Sequence, residues 1–103
     1  MIEKTEDELM VITMEECGEL IQVCSKAMRT KKYSHRKLTE EVGDVMCMVG
    51  LLMQNGLIDE DKVEERIKVK LAKLAKWSNL VEDNEEHKEI RNGNRRNYRK
   101  RRR

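Results

Sequence analysis

Two acidic groups open the reading, Glu15-Glu16-Cys17-Gly18-Glu19 and, after 21 intervening residues, Glu41-Val42-Gly43-Asp44 with Glu40 just before it. Placed on helices at roughly 100° per residue, Glu16 and Glu19 fall within about 40° of Ile12 on the first apolar stripe. Glu41 falls within about 40° of Val45 on the next stripe, and Asp44 borders it at about 100°. Local cations are scarce: only Glu41 has one at helical spacing, Lys37 four residues earlier. Carboxylates turned inward without neutralisation are costly or hold raised pKa values. A divalent cation removes the difficulty. Carboxylate oxygens suit a hard ion such as Mg²⁺, which keeps waters and bridges to phosphates. The plainer alternative is a set of solvated glutamates on helix surfaces.

Cations also stand on the apolar seams. Lys26 lies near the Glu19 side of the first stripe. Lys70 sits between Ile67 and Leu74, with Lys73 at the edge. Such lysines can neutralise phosphate oxygens beside a metal. They can equally lie along a helix pair with their heads in water, or pair with the acids.

Three helices must carry these groups. The first is predicted from about Thr5 to Met28, with Thr5-Glu6-Asp7-Glu8 matching a capping box. A polar loop over 30–36 follows. The second helix runs from about Lys37 to Asn55, where Leu38, Val42, Val45, Val49 and Leu52 keep helical spacing and Asn55-Gly56 marks a stop. The third starts after Asp59 and reaches Trp77 or Ser78. Cys17, Cys24 and Cys47 read as small core residues and Trp77 as the one large ring in the core. Tyr33 and Trp77 are the candidates for stacking a base. His35 and His87 are assigned no chemistry.

Composition narrows the class. The chain has 103 residues, no Pro, no Phe, 41% charged residues and 3% aromatics, which excludes a β-sandwich or barrel and points to an all-α fold. Three Cys without a CxxC pair exclude a disulfide framework and a zinc site. No apolar run of membrane-spanning length is present, and the acidic N-terminus predicts no secretory leader, so a cytoplasmic protein is expected. Residues 91–103 hold eight of the 22 basic residues and no acid, leaving a net −6 on residues 1–90. The predicted division is a helical domain over 1–81 and a charged, disordered tail over 82–103. The tail, with seven cations between Arg95 and Arg103 and Tyr98 among them, suits non-specific nucleic-acid contact. A core this small also predicts self-association.

EExxE (Glu15 to Glu19) followed by ExxD (Glu41 to Asp44), with flanks EECGELIQVCSK and EEVGDVMCMVGLL, resembles the MazG-like nucleotide pyrophosphohydrolases over roughly residues 8–77. The short single-domain forms common in phages and bacteria are the most similar kind, which implies action in a cytoplasm, the host's where a chain is phage-encoded. The resemblance implies that Glu16, Glu19, Glu41 and Asp44 bind Mg²⁺, with Mn²⁺ as a substitute. It implies hydrolysis of a nucleoside triphosphate between the α and β phosphates. It also implies a homodimer or homotetramer built as a four-helix bundle. Glu15 would orient the attacking water, and Lys26, Lys70 and Lys73 would contact the triphosphate. The chain departs from many relatives on the last helix, where KVKLAKLAKW supplies lysines and no Asn. Two other readings compete: a nucleic-acid-binding helical protein acting through its tail, and a helical scaffold without catalysis.

Overall fold

A computed structural model describes residues 4–81. Three helices make up the described chain: α1 (Lys4–Thr30), α2 (His35–Gln54) and α3 (Glu60–Trp77). No strand is present among the described residues. The fold is all-α, as composition and periodicity predict. The chain divides into two compact units, Met1–Ile58 and a second beginning at Asp59.

In the first unit α1 and α2 pack against each other as a helical hairpin. Leu9 and Met48 are its most enclosed side chains. Around them Ile12, Glu16, Leu20, Val23 and Ala27 of α1, with Leu38, Glu41, Val45, Val49 and Leu52 of α2, are half-buried. These are stripes at three- and four-residue spacing, the pattern that lets two helices share one seam.

Local chemistry fixes the helix ends. Thr5 already lies inside α1, so the predicted capping box is not where the helix starts; Glu6 and Asp7 in the first turn still suit the positive end of the dipole. α2 begins two residues earlier than its apolar pattern, because the Ser34 hydroxyl accepts a hydrogen bond from Lys37 N–H at 3.1 Å. Its C-terminus closes with paired bonds, Leu57 N–H to the Leu52 carbonyl and Gly56 N–H to the Met53 carbonyl. That closure needs a left-handed residue, and Gly56 supplies it at φ 75°. Between α1 and α2, Lys31 holds φ 62°, a backbone region that non-glycine residues seldom enter.

α3 carries the second unit. Asp59 caps it by accepting a bond from Asp61 N–H at 2.9 Å, and Ser78 N–H closes it onto the Leu74 carbonyl at 2.8 Å. Val63, Leu71 and Leu74 are half-buried, and Val81 beyond the helix is buried. Trp77 does not serve as a core ring: it is 79% exposed at the end of α3. The predicted tail over 82–103 lies outside the described residues.

A second apolar stripe runs the length of α1, rotated by about 100° from the seam with α2. Met10, Met14, Cys17, Ile21, Cys24 and Met28 repeat at spacings of four and three, and all are exposed. Val42 and Met46 of α2 are exposed as well. Cys17 and Cys24 are therefore not core residues, and neither is Cys47; all three thiols are free and exposed. The single seam available within one hairpin is filled by Leu, Ile, Val and Met side chains, which leaves the thiols outside it.

Candidate functional site

Glu16 reaches the site from the middle of α1, four residues after Ile12 and four before Leu20, on the stripe that faces α2. Glu41 and Asp44 come from the second turn of α2 onward, three residues apart and so on neighbouring faces. One carboxylate oxygen from each of the three lies within 4.8 Å of the others. Glu41 is half-buried, Glu16 is half-buried and Asp44 is exposed, so the cluster opens at the rim of the hairpin.

Its electrostatics are unbalanced. Partial burial raises the Glu16 carboxyl above its usual range. The charges of Asp44, Glu41 and Glu19 raise it further, and so does a hydrogen bond with Asp44. Glu41 Oε1 is sealed from water and has no hydrogen-bond partner. Lys37, one turn earlier, makes no ion pair with it; ion pairs among the described residues include Arg36–Glu40 and Lys62–Glu65, both exposed. An orphaned, buried carboxylate oxygen is rare in a folded chain, because its desolvation is not repaid. A hard cation among these oxygens supplies the missing partner, and an all-carboxylate donor set is the kind such a cation takes. The residues present therefore fit a divalent metal.

Of the four ligands expected, Glu16, Glu41 and Asp44 meet. Glu19 does not join the trio. Three residues beyond Glu16, it is turned about 60° toward the exposed rim, and its charge still reaches Glu16. Glu15 is exposed, one residue around the helix from the cluster. Lys26 lines a cavity of about 290 Å³ at the loop end of the hairpin. Lys70 and Lys73 are exposed on α3, in the second unit. Lys32, which the sequence reading passed over, and Lys37, noted there only as a neighbour of Glu41, line the same cavity as Lys26. The one signal for Lys32 was a lysine-rich polar loop.

No described helix is long and apolar enough to cross a membrane. No curated protein and no solved structure matches the chain. The MazG nucleotide pyrophosphohydrolase domain model matches residues 4–78, which takes in all three helices and every member of the acidic cluster. With that match over most of the chain, and with the acids of EExxE and ExxD meeting across α1 and α2, this protein belongs to the MazG nucleotide pyrophosphohydrolase family.

Proposed function

We propose that the chain is a Mg²⁺-dependent nucleoside triphosphate pyrophosphohydrolase that yields a nucleoside monophosphate and pyrophosphate. The observation that carries this reading is the convergence of Glu16, Glu41 and Asp44 within 4.8 Å, with one oxygen buried and unpartnered, in a chain of this family. Glu16, Glu41 and Asp44 would hold the metal, with Glu19 joining from the rim. Bound there, Mg²⁺ or Mn²⁺ supplies charge neutralisation to phosphate oxygens and lowers the pKa of a water.

The chain's own residues set the conditions. Burial, the neighbouring acids and a hydrogen bond with Asp44 all favour the protonated form of Glu16, and that proton must leave before Glu16 can act as a ligand. Glu15 points from the same turn of α1 and would accept a hydrogen bond from the attacking water, orienting it toward the α-phosphorus. Lys26 would meet the negative phosphate oxygens. Little covalent chemistry falls to the protein; placement and charge do most of the catalysis.

Assembly belongs to the same reading. A second copy would cover the exposed Met10–Met28 stripe of α1, pairing two hairpins into a four-helix bundle, as a homodimer or a homotetramer. Residues 1–81 would form the catalytic domain, acting in the cytoplasm, and residues 82–103 a separate basic tail.

Incubation of the full chain with a panel of ribo- and deoxyribonucleoside triphosphates and Mg²⁺ tests the reaction. Pyrophosphate and the monophosphate should appear, chelation should stop the reaction, and Asp44→Asn should lower turnover about a hundredfold or more. Release of orthophosphate, or full activity in Asp44→Asn, overturns the reading.

A further inference from the structure

The cations of α3 and the ring at its end take no part in the reaction proposed above. From Arg66 to Val81 the chain holds five cations, Arg66, Lys68, Lys70, Lys73 and Lys76, and no acid. All five are exposed. At roughly 100° per residue, Arg66, Lys70, Lys73, Lys76 and Trp77 fall within one arc of about 120°, over a rise of about 16 Å. No acid of α3 stands in that arc. None of its four cations forms an ion pair with a described residue. Trp77, 79% exposed, lies in angle between Arg66 and Lys70. Val63, Leu71 and Leu74 lie outside the arc and are half-buried.

A row of unpaired like charges repels itself and gathers counterions. A polyanion that replaces those ions binds with the gain of their release. An open indole face on the same row suits a flat partner, because any nucleobase stacks on it whatever its sequence. Single-stranded nucleic acid offers both groups together: a line of phosphates, and bases free to leave the stack. A duplex offers the phosphates but keeps its bases stacked inside. An anionic lipid surface also offers charge, but it takes up a helix by an open apolar face. Here the arc shows only Val69 and Trp77 as apolar groups, among cations, and the apolar side of α3 is half-buried. After the acidic stretch 82–89, residues 91–103 add eight further cations and no acid.

We propose that the exposed basic face of α3 is a docking surface for single-stranded nucleic acid. Arg66, Lys70, Lys73 and Lys76 meet backbone phosphates, and a base stacks on Trp77. Binding is independent of base sequence and falls steeply with salt. It needs neither the acidic cluster nor its metal.

Trp77 is the only Trp in the chain, so its emission reports this face alone. An oligothymidine strand titrated into the full chain in chelator should quench that emission. Anisotropy of the labelled strand gives affinity against salt. Replacing Arg66, Lys70, Lys73 and Lys76 with Gln should lower the slope of log affinity on log salt by about 3. Lys70→Arg/Lys73→Arg/Lys76→Arg should keep both affinity and slope, which separates lost charge from a lost fold. Trp77→Ala should weaken binding about tenfold with the slope unchanged, and Trp77→Phe should recover most of the loss. Arg101→Gln/Arg102→Gln/Arg103→Gln should weaken binding yet leave the quench at saturation intact. Three results overturn the proposal. One is an unchanged slope in the glutamine variant. Another is a saturated complex with no quench, which would assign binding to the tail alone. The third is an emission shift caused by phosphatidylserine vesicles or by a nucleoside triphosphate and not by the strand, which would assign the face to a membrane or to the substrate.

Discussion

On the flank of α1 that meets α2, Glu16 is half-buried beside Glu41 and Asp44, and one carboxylate oxygen is sealed in with no partner. About 100° around the same helix, Ile21 is 67% exposed and Met14 and Met28 are as open. One flank hides charge where apolar groups belong, and the other shows apolar groups where charge belongs. Each is unfavourable in an isolated protomer, for opposite reasons: desolvation without pairing on one side, hydration of hydrocarbon on the other. The two defects therefore call for different partners. An ion would complete the first, and a second apolar surface would complete the second. The difference teaches that packing α1 against α2 alone leaves both flanks of α1 incomplete.

The largest effect is expected on the apolar flank. Ile21→Asp removes a side chain whose burial is worth about 1.5–3 kcal/mol and occurs twice in a symmetric dimer, so about 3–6 kcal/mol of association is lost. Sedimentation of the parent should report a dimer or tetramer, and of the variant a monomer with a lower melting temperature. A parent that sediments as a monomer at every concentration would remove the comparison's second half.

The acidic flank responds to metal. A hundredfold excess of Mg²⁺ over its Kd should stabilise the parent by about 2.7 kcal/mol. Glu41→Met should abolish that gain. In chelator the same variant should be more stable than the parent by about 1–2 kcal/mol, because the orphaned oxygen is gone. Thermal unfolding with and without Mg²⁺ reads both effects. A variant that is weaker than the parent in chelator would show that Glu41 is not under strain.

Much of this arrangement was legible in the residues. Period alone placed three helices, and Asp59 and Asn55-Gly56 marked the ends that turned out to be capped there. The pairs Glu16/Glu19 and Glu41/Asp44 stood out because they interrupted apolar stripes. What sequence could not separate was which apolar stripe faces inward. Cys17, Cys24 and Met14 carry the same helical spacing as Leu9, Leu20 and Val23, and hydropathy does not distinguish a seam within a chain from one between chains. Trp77 misled for a related reason: size suggests a core position, but a ring at the last residue of α3 has few neighbours to cover it. The start of α2 was missed because Ser34 acts through a hydrogen bond, not through apolar period. Lys32 escaped notice, and Lys37 was read only against Glu41, because a cavity is a property of packing, which no spacing rule encodes.

The smallest effect tests whether the acidic flank is strained before metal arrives. Glu16 titrates above the usual 4.5 in the folded chain, chiefly from burial and then from Asp44, Glu41 and Glu19. The folded state therefore holds this proton more tightly than the unfolded state does. Its contribution is fully present below 4.5 and is lost as pH rises from there through the folded pKa. Denaturant unfolding in chelator over roughly pH 4 to 7 should show the parent losing stability relative to Glu16→Gln, which has no such proton. With Mg²⁺ the sign reverses, because ligation needs the carboxylate deprotonated and so strengthens as pH rises. A parent and variant that run parallel in chelator would mean that the neighbouring acids do not oppose ionisation of Glu16, and the contrast between the flanks would then rest on Glu41 alone.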